Sequence, residues 1–382
     1  MKKELAKFLL LLGIFLTAYF LPVKMESVQK AILHAFEMLQ WYAVHHTLGC
    51  VVPAMFIAGA IATFLSKESI LRHLGPGANP WKAYSFASLS GILLAVCSCS
   101  VLPMFAGIFR VGAGLGPAST FLCSGPSLNV MAIFLSARVL GVELGVGRTL
   151  LAVGMSLFIG TLMAWIFRWS ERNRIRAVMQ LPEPSQSRRK SWQMGLFFTT
   201  MVLFLIFSDW VPAETYGWSV VIYRVRGWIC LGLLALTAGM LWRWFERDEI
   251  REWMIQTWSF SKSIVPLLFA GIFLTGFLTS LLPAEMVAQY VGGNTLSANL
   301  ISSVLGLLWY FSTLSEIPMI EALTRLGMGK GPAMTLLLAG PTLSLPSIIV
   351  LGRIMGWKRT LTFAFLTILF STTCGMIFGY VF

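Results

Sequence analysis

CSCSVLPMFAGIFRVGAGLGPASTFLCSGPSLNVMAIFLSARVLG, residues 97–141, aligns without a gap with STLSEIPMIEALTRLGMGKGPAMTLLLAGPTLSLPSIIVLGRIMG, residues 312–356, at a shift of 215. Seventeen of the 45 positions are identical. The matched pairs include Ser100/Ser315, Pro103/Pro318, Arg110/Arg325, Gly112/Gly327, Gly114/Gly329, Gly116/Gly331, Pro117/Pro332, Gly125/Gly340, Pro126/Pro341 and Arg138/Arg353. Glycine and proline set backbone shape rather than fill a core. A match carried by them reports a duplicated fold and not a coincidence of leucines.

Both copies lie in an apolar chain. Of its 382 residues, 57% are hydrophobic and 12% are charged, and the mean hydropathy is +0.77. A soluble domain carries about 25% charged residues, and a membrane span needs about 20 mostly apolar ones. Runs of that kind recur at 8–23, 47–66, 83–102, 117–140, 144–167, 192–211, 218–242, 263–282, 296–313, 332–352 and 359–381. The chain therefore reads as an all-α integral membrane protein of nine to eleven membrane helices. The net charge of +13 does not point to nucleic acid. Its basic residues fall between apolar runs, as in loops held on the cytoplasmic side. Six cysteines in apolar settings form no disulfide framework. The opening run has no small-residue cleavage site and reads as a first membrane helix.

The organisation follows from the duplication. Residues 1–46 hold that first helix and an amphipathic surface helix from Glu26 to His46. Residues 47–167 form repeat 1. Residues 168–191 are a basic loop with Arg168, Arg172, Arg174, Arg176, Arg188, Arg189 and Lys190, which belongs in the cytoplasm. Residues 192–262 supply two linker helices and a loop, and 263–382 form repeat 2. Lys67, Arg72 and Lys82 follow the run ending at 66, whereas PAEMVAQYVGGN after 282 has no Lys or Arg. This opposite charge bias points to an inverted repeat, which requires one run in each half, at the Gly/Pro breaks, to be broken or re-entrant rather than spanning.

Three features can carry chemistry. In CSCS, Cys97 and Cys99 lie two residues apart and converge only where the helix unwinds. Thiolates are soft ligands for Cu(I), Zn or trivalent arsenic-type species, so these two are also the metal-ligand candidates, with Cys123 as a third thiol. Buried free cysteine is equally a small hydrophobe. Second, SGPSLN (124–129) and AGPTLS (339–344) break apolar runs at Gly125-Pro126 and Gly340-Pro341. Discontinuous helices at matching places in two halves point to a transport site, here with Asn129 and Ser344 aligned. Third, Glu316 beside Ser315 and Pro318 is an ionisable group in an apolar setting, which is costly unless functional or paired. It reads as a proton-coupling group, as the ion-pair partner of Arg325, Arg110 or Arg138, or as a residue at the membrane surface. No Walker loop, HExxH or GxSxG stretch is present.

The two blocks resemble the signatures of the ArsP-type predicted permeases, and the flanking runs fit that family's spacing. The resemblance implies an inner-membrane, multi-pass permease. Some members export trivalent organoarsenicals, and related branches are linked to copper or zinc efflux. Carried over, the signatures fall on Cys97, Cys99, Pro103, Gly125, Pro126 and Asn129, and on Glu316, Pro318, Gly340, Pro341 and Ser344. The second copy, FSTLSEIP, has no thiols, so a soft site would belong to one half.

The expected function is secondary-type efflux of a small soft species through a site between the repeats. The substrate-binding candidates are Cys97, Cys99, Ser100, Cys123, Gly125, Pro126, Asn129, Ser315, Gly340, Pro341 and Ser344. Two rivals stand beside it: transport of a metal ion or small anion without thiol ligation, with Arg110 and Arg325 attracting an anion, and an intramembrane thiol enzyme. The expected partners are a small-molecule or metalloid substrate and the lipid bilayer, with no cofactor. Association into a homo-oligomer is left open.

Overall fold

The computed structural model describes residues 19, 25–64, 74–75, 79–94, 98–128, 130–180, 191–210, 218–280, 289–309 and 316–382. The run expected at 8–23 therefore lies outside them, apart from Tyr19. The described residues form helices and no strands. Helix α1 (Glu26–Tyr42) passes through a π-helical segment (Ala43–Val51) into α2 (Val52–Phe64). The surface helix expected at 26–46 and the span expected at 47–66 thus join in one rod of 39 residues. Next come α3 (Pro80–Leu94), α4 (Ser98–Val111), α5 (Leu115–Ser127), α6 (Val130–Val139) and α7 (Val142–Ile166). A basic helix α8 (Arg168–Gln180) opens the expected cytoplasmic loop. It is followed by α9 (Ser191–Ser208), α10 (Trp218–Trp244) and α11 (Arg247–Ser280). The second half ends the chain with α12 (Leu296–Leu308), α13 (Glu316–Arg325), α14 (Lys330–Thr342), α15 (Leu345–Ile354) and α16 (Trp357–Val381).

The α1–α2 rod, α7, α10, α11 and α16 are long and apolar enough to cross a membrane. Two further helix pairs are long and apolar enough only when taken together, and each is bent, as in a broken span or a re-entrant loop: α5/α6 by 45° and α14/α15 by 41°. Helix α12 and most of α4 and α9 are apolar but short. The run expected as one span at 83–102 divides into α3 and α4, with 15 and 14 residues, each below the roughly 20 that a span needs.

The duplication is written in the backbone. Helices α5, α6 and α7 begin and end 215 residues before α14, α15 and α16. Gly112 and Gly327 turn between helices at φ 120° and 107°, and Gly141 and Gly356 at φ 104° and 88°. These are conformations that side chains with a Cβ avoid, which explains why the repeat keeps glycine there. Thr120 Oγ1 donates to the Ser156 carbonyl at 3.2 Å, and Thr335 Oγ1 to the Ser371 carbonyl at 3.3 Å.

The two halves run in opposite directions. Arg359, at the start of α16, donates to Ser170 Oγ just beyond the end of α7 at 2.8 Å. Phe378, near the end of α16, closes on Gly147 near the start of α7. Phe158 and Phe370 stack between them with ring centroids 5.9 Å apart. Since α7 and α16 are equivalent by sequence and antiparallel in space, the repeat is inverted. The cross-contacts agree: α4 packs on α15 while α13 packs on α6, the reciprocal pattern of a two-fold axis.

Within each half, two short helices enter and return on one face. Helix α3 lies along α5, with Ser124 Oγ donating to the Ala87 carbonyl at 3.4 Å. Helix α4 returns to the turn at Gly112–Gly114, where Arg174 of α8 donates to the Phe109 and Ala113 carbonyls. In the second half α12 starts beside the end of α16, where Asn294 Nδ2 donates to the Met376 carbonyl at 3.0 Å. The segments joining each short pair, 95–97 and 310–315, lie outside the described residues.

Candidate functional site

The helix breaks of the two halves meet at the centre. Pro126 and Pro341 lack an N–H, so the carbonyls of Leu122 and Leu337 lose their ordinary helical donors. Each helix stops within two residues, α5 at Ser127 and α14 at Thr342. Ser127 Oγ and Thr342 Oγ1 hydrogen-bond to each other at 2.9 Å. They occupy matching repeat positions, and equivalent residues touch only on the symmetry axis. Cys123 Sγ lies 3.9 Å from Thr342 Oγ1. Cys123, Ser127 and Thr342 are all buried.

An ion pair crosses between the halves beside this point. Arg148 of α7 and Glu316 of α13 are both 0% exposed, with Nη2 3.2 Å from Oε2. Arg148 also donates from Nε to the Ser127 carbonyl at 3.3 Å and from Nη1 to Ser136 Oγ at 3.1 Å. The Ser127 carbonyl stands at the C-terminus of α5, where carbonyls lack helical partners, so the guanidinium closes the break as well as pairing the carboxylate. Glu316 Oε1 is buried with no hydrogen-bond partner among the described residues. The pair breaks the two-fold: Phe363 stands where repeat 2 would place Arg148, and Val101 where repeat 1 would place Glu316.

Several expected site residues gather at these breaks. Gly125, Pro126, Gly340 and Pro341 are buried in the last turns of α5 and α14. Ser344 precedes α15, with its hydroxyl 2.9 Å from Ser347 Oγ. Ser100 is buried on α4. Cys97, Asn129 and Ser315 lie outside the described residues, as does the Cys99 side chain. Among the described residues, no three His, Cys, Asp or Glu side chains come together as a metal cage.

The expected basic partners of Glu316 are corrected. Arg325 bridges Glu321 at 2.6 Å at an exposed end of α13. Arg110 lies over the Phe260 ring at 4.0 Å, and Arg138 is exposed. Neither Arg110 nor Arg325 lines the breaks, so neither is placed to draw an anion there. The partner is Arg148, which sits near one end of an apolar run and so reads as interfacial in the sequence. The available signal was the cost of an arginine inside a membrane segment.

A second polar cluster ties α8 to both halves. Glu171 Oε1 accepts the Leu115 N–H at 3.0 Å, Arg174 donates to both Glu171 oxygens, and Arg359 approaches Oε2 at 3.8 Å. At the other end of α7, Glu143 meets Lys330 at 2.9 Å.

Residues 32–380 match a family model, ArsP_1, described as a predicted permease. A UPF0718 protein of Methanocaldococcus jannaschii, MJ0584, is 40% identical over 332 residues, 85% of this chain and 90% of its own length. UPF0718 protein YraQ of Escherichia coli is 22% identical over 342 residues, 87% of this chain and 80% of its own. No solved structure matches the chain.

Proposed function

The chain belongs to this family of predicted permeases, and on that premise we propose a secondary transporter that exports a small soft species from the cell through the plasma (inner) membrane, with trivalent organoarsenicals as the first candidates. The observation that carries this reading is the meeting of the two helix breaks on the inverted-repeat axis, at Ser127 and Thr342, with the Cys123 thiol beside them. Inverted halves with broken helices at their interface are the general plan of alternating-access carriers. Rocking of one half against the other would open the buried centre to each face in turn. Cys123 offers one soft ligand, and Cys97 and Cys99 belong to the same half in sequence. Thiols would replace the hydration or thiol ligands of the cargo.

A second reading, a small anion carried without thiol ligation, is favoured by one feature: a fully buried guanidinium, Arg148, beside the axis. A thiol enzyme with Cys97 or Cys99 as nucleophile has less support, since no base such as His sits within the CSCS motif.

Methylarsenite uptake into everted vesicles tests the proposal. Wild type should accumulate it, and Cys97→Ser/Cys99→Ser and Cys123→Ser should not. Equal uptake by all three would remove the thiol mechanism. Loss of transport on Asn129→Ala with retention in the cysteine variants would favour the anion.

A further inference from the structure

We propose that Arg148 and Glu316 form a one-proton switch between the halves, in which protonation of Glu316 breaks their ion pair and frees the halves to move. The inference rests on the transporter reading and names its coupling ion.

The geometry supplies four arguments. The pair joins the two moving bodies, since Arg148 belongs to repeat 1 and Glu316 to repeat 2. Both groups are fully buried, where the attraction between opposite charges is far stronger than in water. An intact pair therefore holds the halves together. Glu316 is held by one oxygen only, and Oε1 stands buried and unpartnered among the described residues. A buried charge on an oxygen with no partner is costly, and a proton added there removes the charge while needing almost no space. A metal cation at the same oxygen would face the Arg148 guanidinium, 3.2 Å from its neighbour Oε2, and be repelled.

The surrounding charges leave Glu316 to Arg148. On α14, which packs on α13, Lys330 is paired with Glu143 of α7 and half exposed. On α6, Arg138 is exposed. On α13 itself, Glu321 and Arg325 pair with each other. Cys123 of α5 faces Thr342.

In the step, a proton from the aqueous phase adds to the Glu316 carboxylate and gives a neutral carboxylic acid. Arg148 keeps its positive charge and its bonds to the Ser127 carbonyl and Ser136. When the centre opens to the other face, the acid returns the proton to water and the pair re-forms.

Two measurements test this on the full-length protein. Infrared difference spectroscopy of purified protein through a pH titration should show a protonated-carboxyl band that Glu316→Gln lacks. Absence of the band in wild type, or its persistence in the variant, would overturn the proposal. In proteoliposomes with methylarsenite as probe, Glu316→Gln should lose accumulation driven by a pH gradient while keeping exchange between the two sides. Accumulation equal to wild type would also overturn it. The neutral pair Arg148→Gln/Glu316→Gln, which buries no lone charge, controls for folding and should behave like Glu316→Gln. If wild type moves no methylarsenite, the substrate reading fails and the infrared result alone decides the switch.

Discussion

Ser127 and Thr342 stand 215 residues apart, occupy the same position in two copies of one sequence, and hydrogen-bond to each other at 2.9 Å. That single contact locates the symmetry axis of the molecule. It also explains why both copies keep a small hydroxyl one residue after a Gly-Pro step: the two hydroxyls answer each other across the interface between the halves. Leu338 O accepts a further bond from Thr342 Oγ1 at 2.6 Å, holding the frayed end of α14.

Breaking the axial contact should cost stability and couple across the halves. Thr342→Val keeps the shape but leaves Ser127 without its partner, a loss of about 1–3 kcal/mol for a buried polar group. Ser127→Ala alone should cost a similar amount, and the double variant should cost less than the two together. Melting of purified protein in detergent measures this. Additive losses would mean that the contact is not made.

The repeat predicts matched glycine effects. A Cβ at Gly160 would collide with the Thr120 hydroxyl, and one at Gly375 with the Thr335 hydroxyl, at equivalent positions of α7 and α16. Gly160→Ala and Gly375→Ala should each destabilise by about 1–3 kcal/mol through overpacking. Gly154, on the same α7, has nothing within 4 Å of such a Cβ, so Gly154→Ala should be neutral or slightly stabilising. The same thermal-shift assay reads all three.

Removing one member of the buried pair should be worse than removing both. Arg148→Met leaves the Glu316 carboxylate uncompensated and should cost about 3–5 kcal/mol, whereas Arg148→Met/Glu316→Leu should recover most of that. Yield and melting temperature of the two purified variants decide it. A double variant as unstable as the single would show that the pair's value is not electrostatic.

Orientation can be checked by labelling from outside the cell. The positive-inside rule leads one to expect the basic α8 in the cytoplasm. Glu143 and Lys330, at the other end of α7 and about half exposed, then face outward. Glu143→Cys and Lys330→Cys should react with an impermeant thiol reagent on intact cells, and Arg176→Cys only after the membrane is opened. The reverse pattern would invert the whole assignment.

Glu316 shows where legibility stopped. Its chemistry was readable, because a carboxylate in an apolar run is costly wherever it sits. Its partner was not, since Arg148 lies 168 positions away, and Arg325 on the same helix, with the repeat-matched Arg110 and Arg138, competed for the role. A broken or re-entrant helix in each half was legible from the charge bias, but the place of the short pair α3 and α4 was not. Residues 83–102 carry no charge and are mostly apolar, and apolarity alone cannot tell a helix that crosses from two that enter and return.

Composition alone made this an all-α membrane protein, because lipid leaves the backbone few other ways to satisfy its hydrogen bonds. The glycines and prolines matched between 97–141 and 312–356 made it a duplication with broken helices, because those residues act on the backbone locally. The antiparallel crossing of α7 and α16, the axial Ser127–Thr342 contact and the Arg148–Glu316 pair belong to the tertiary structure only. Each depends on which surfaces of two distant segments are pressed together, and packing between halves leaves no periodicity in the chain to read.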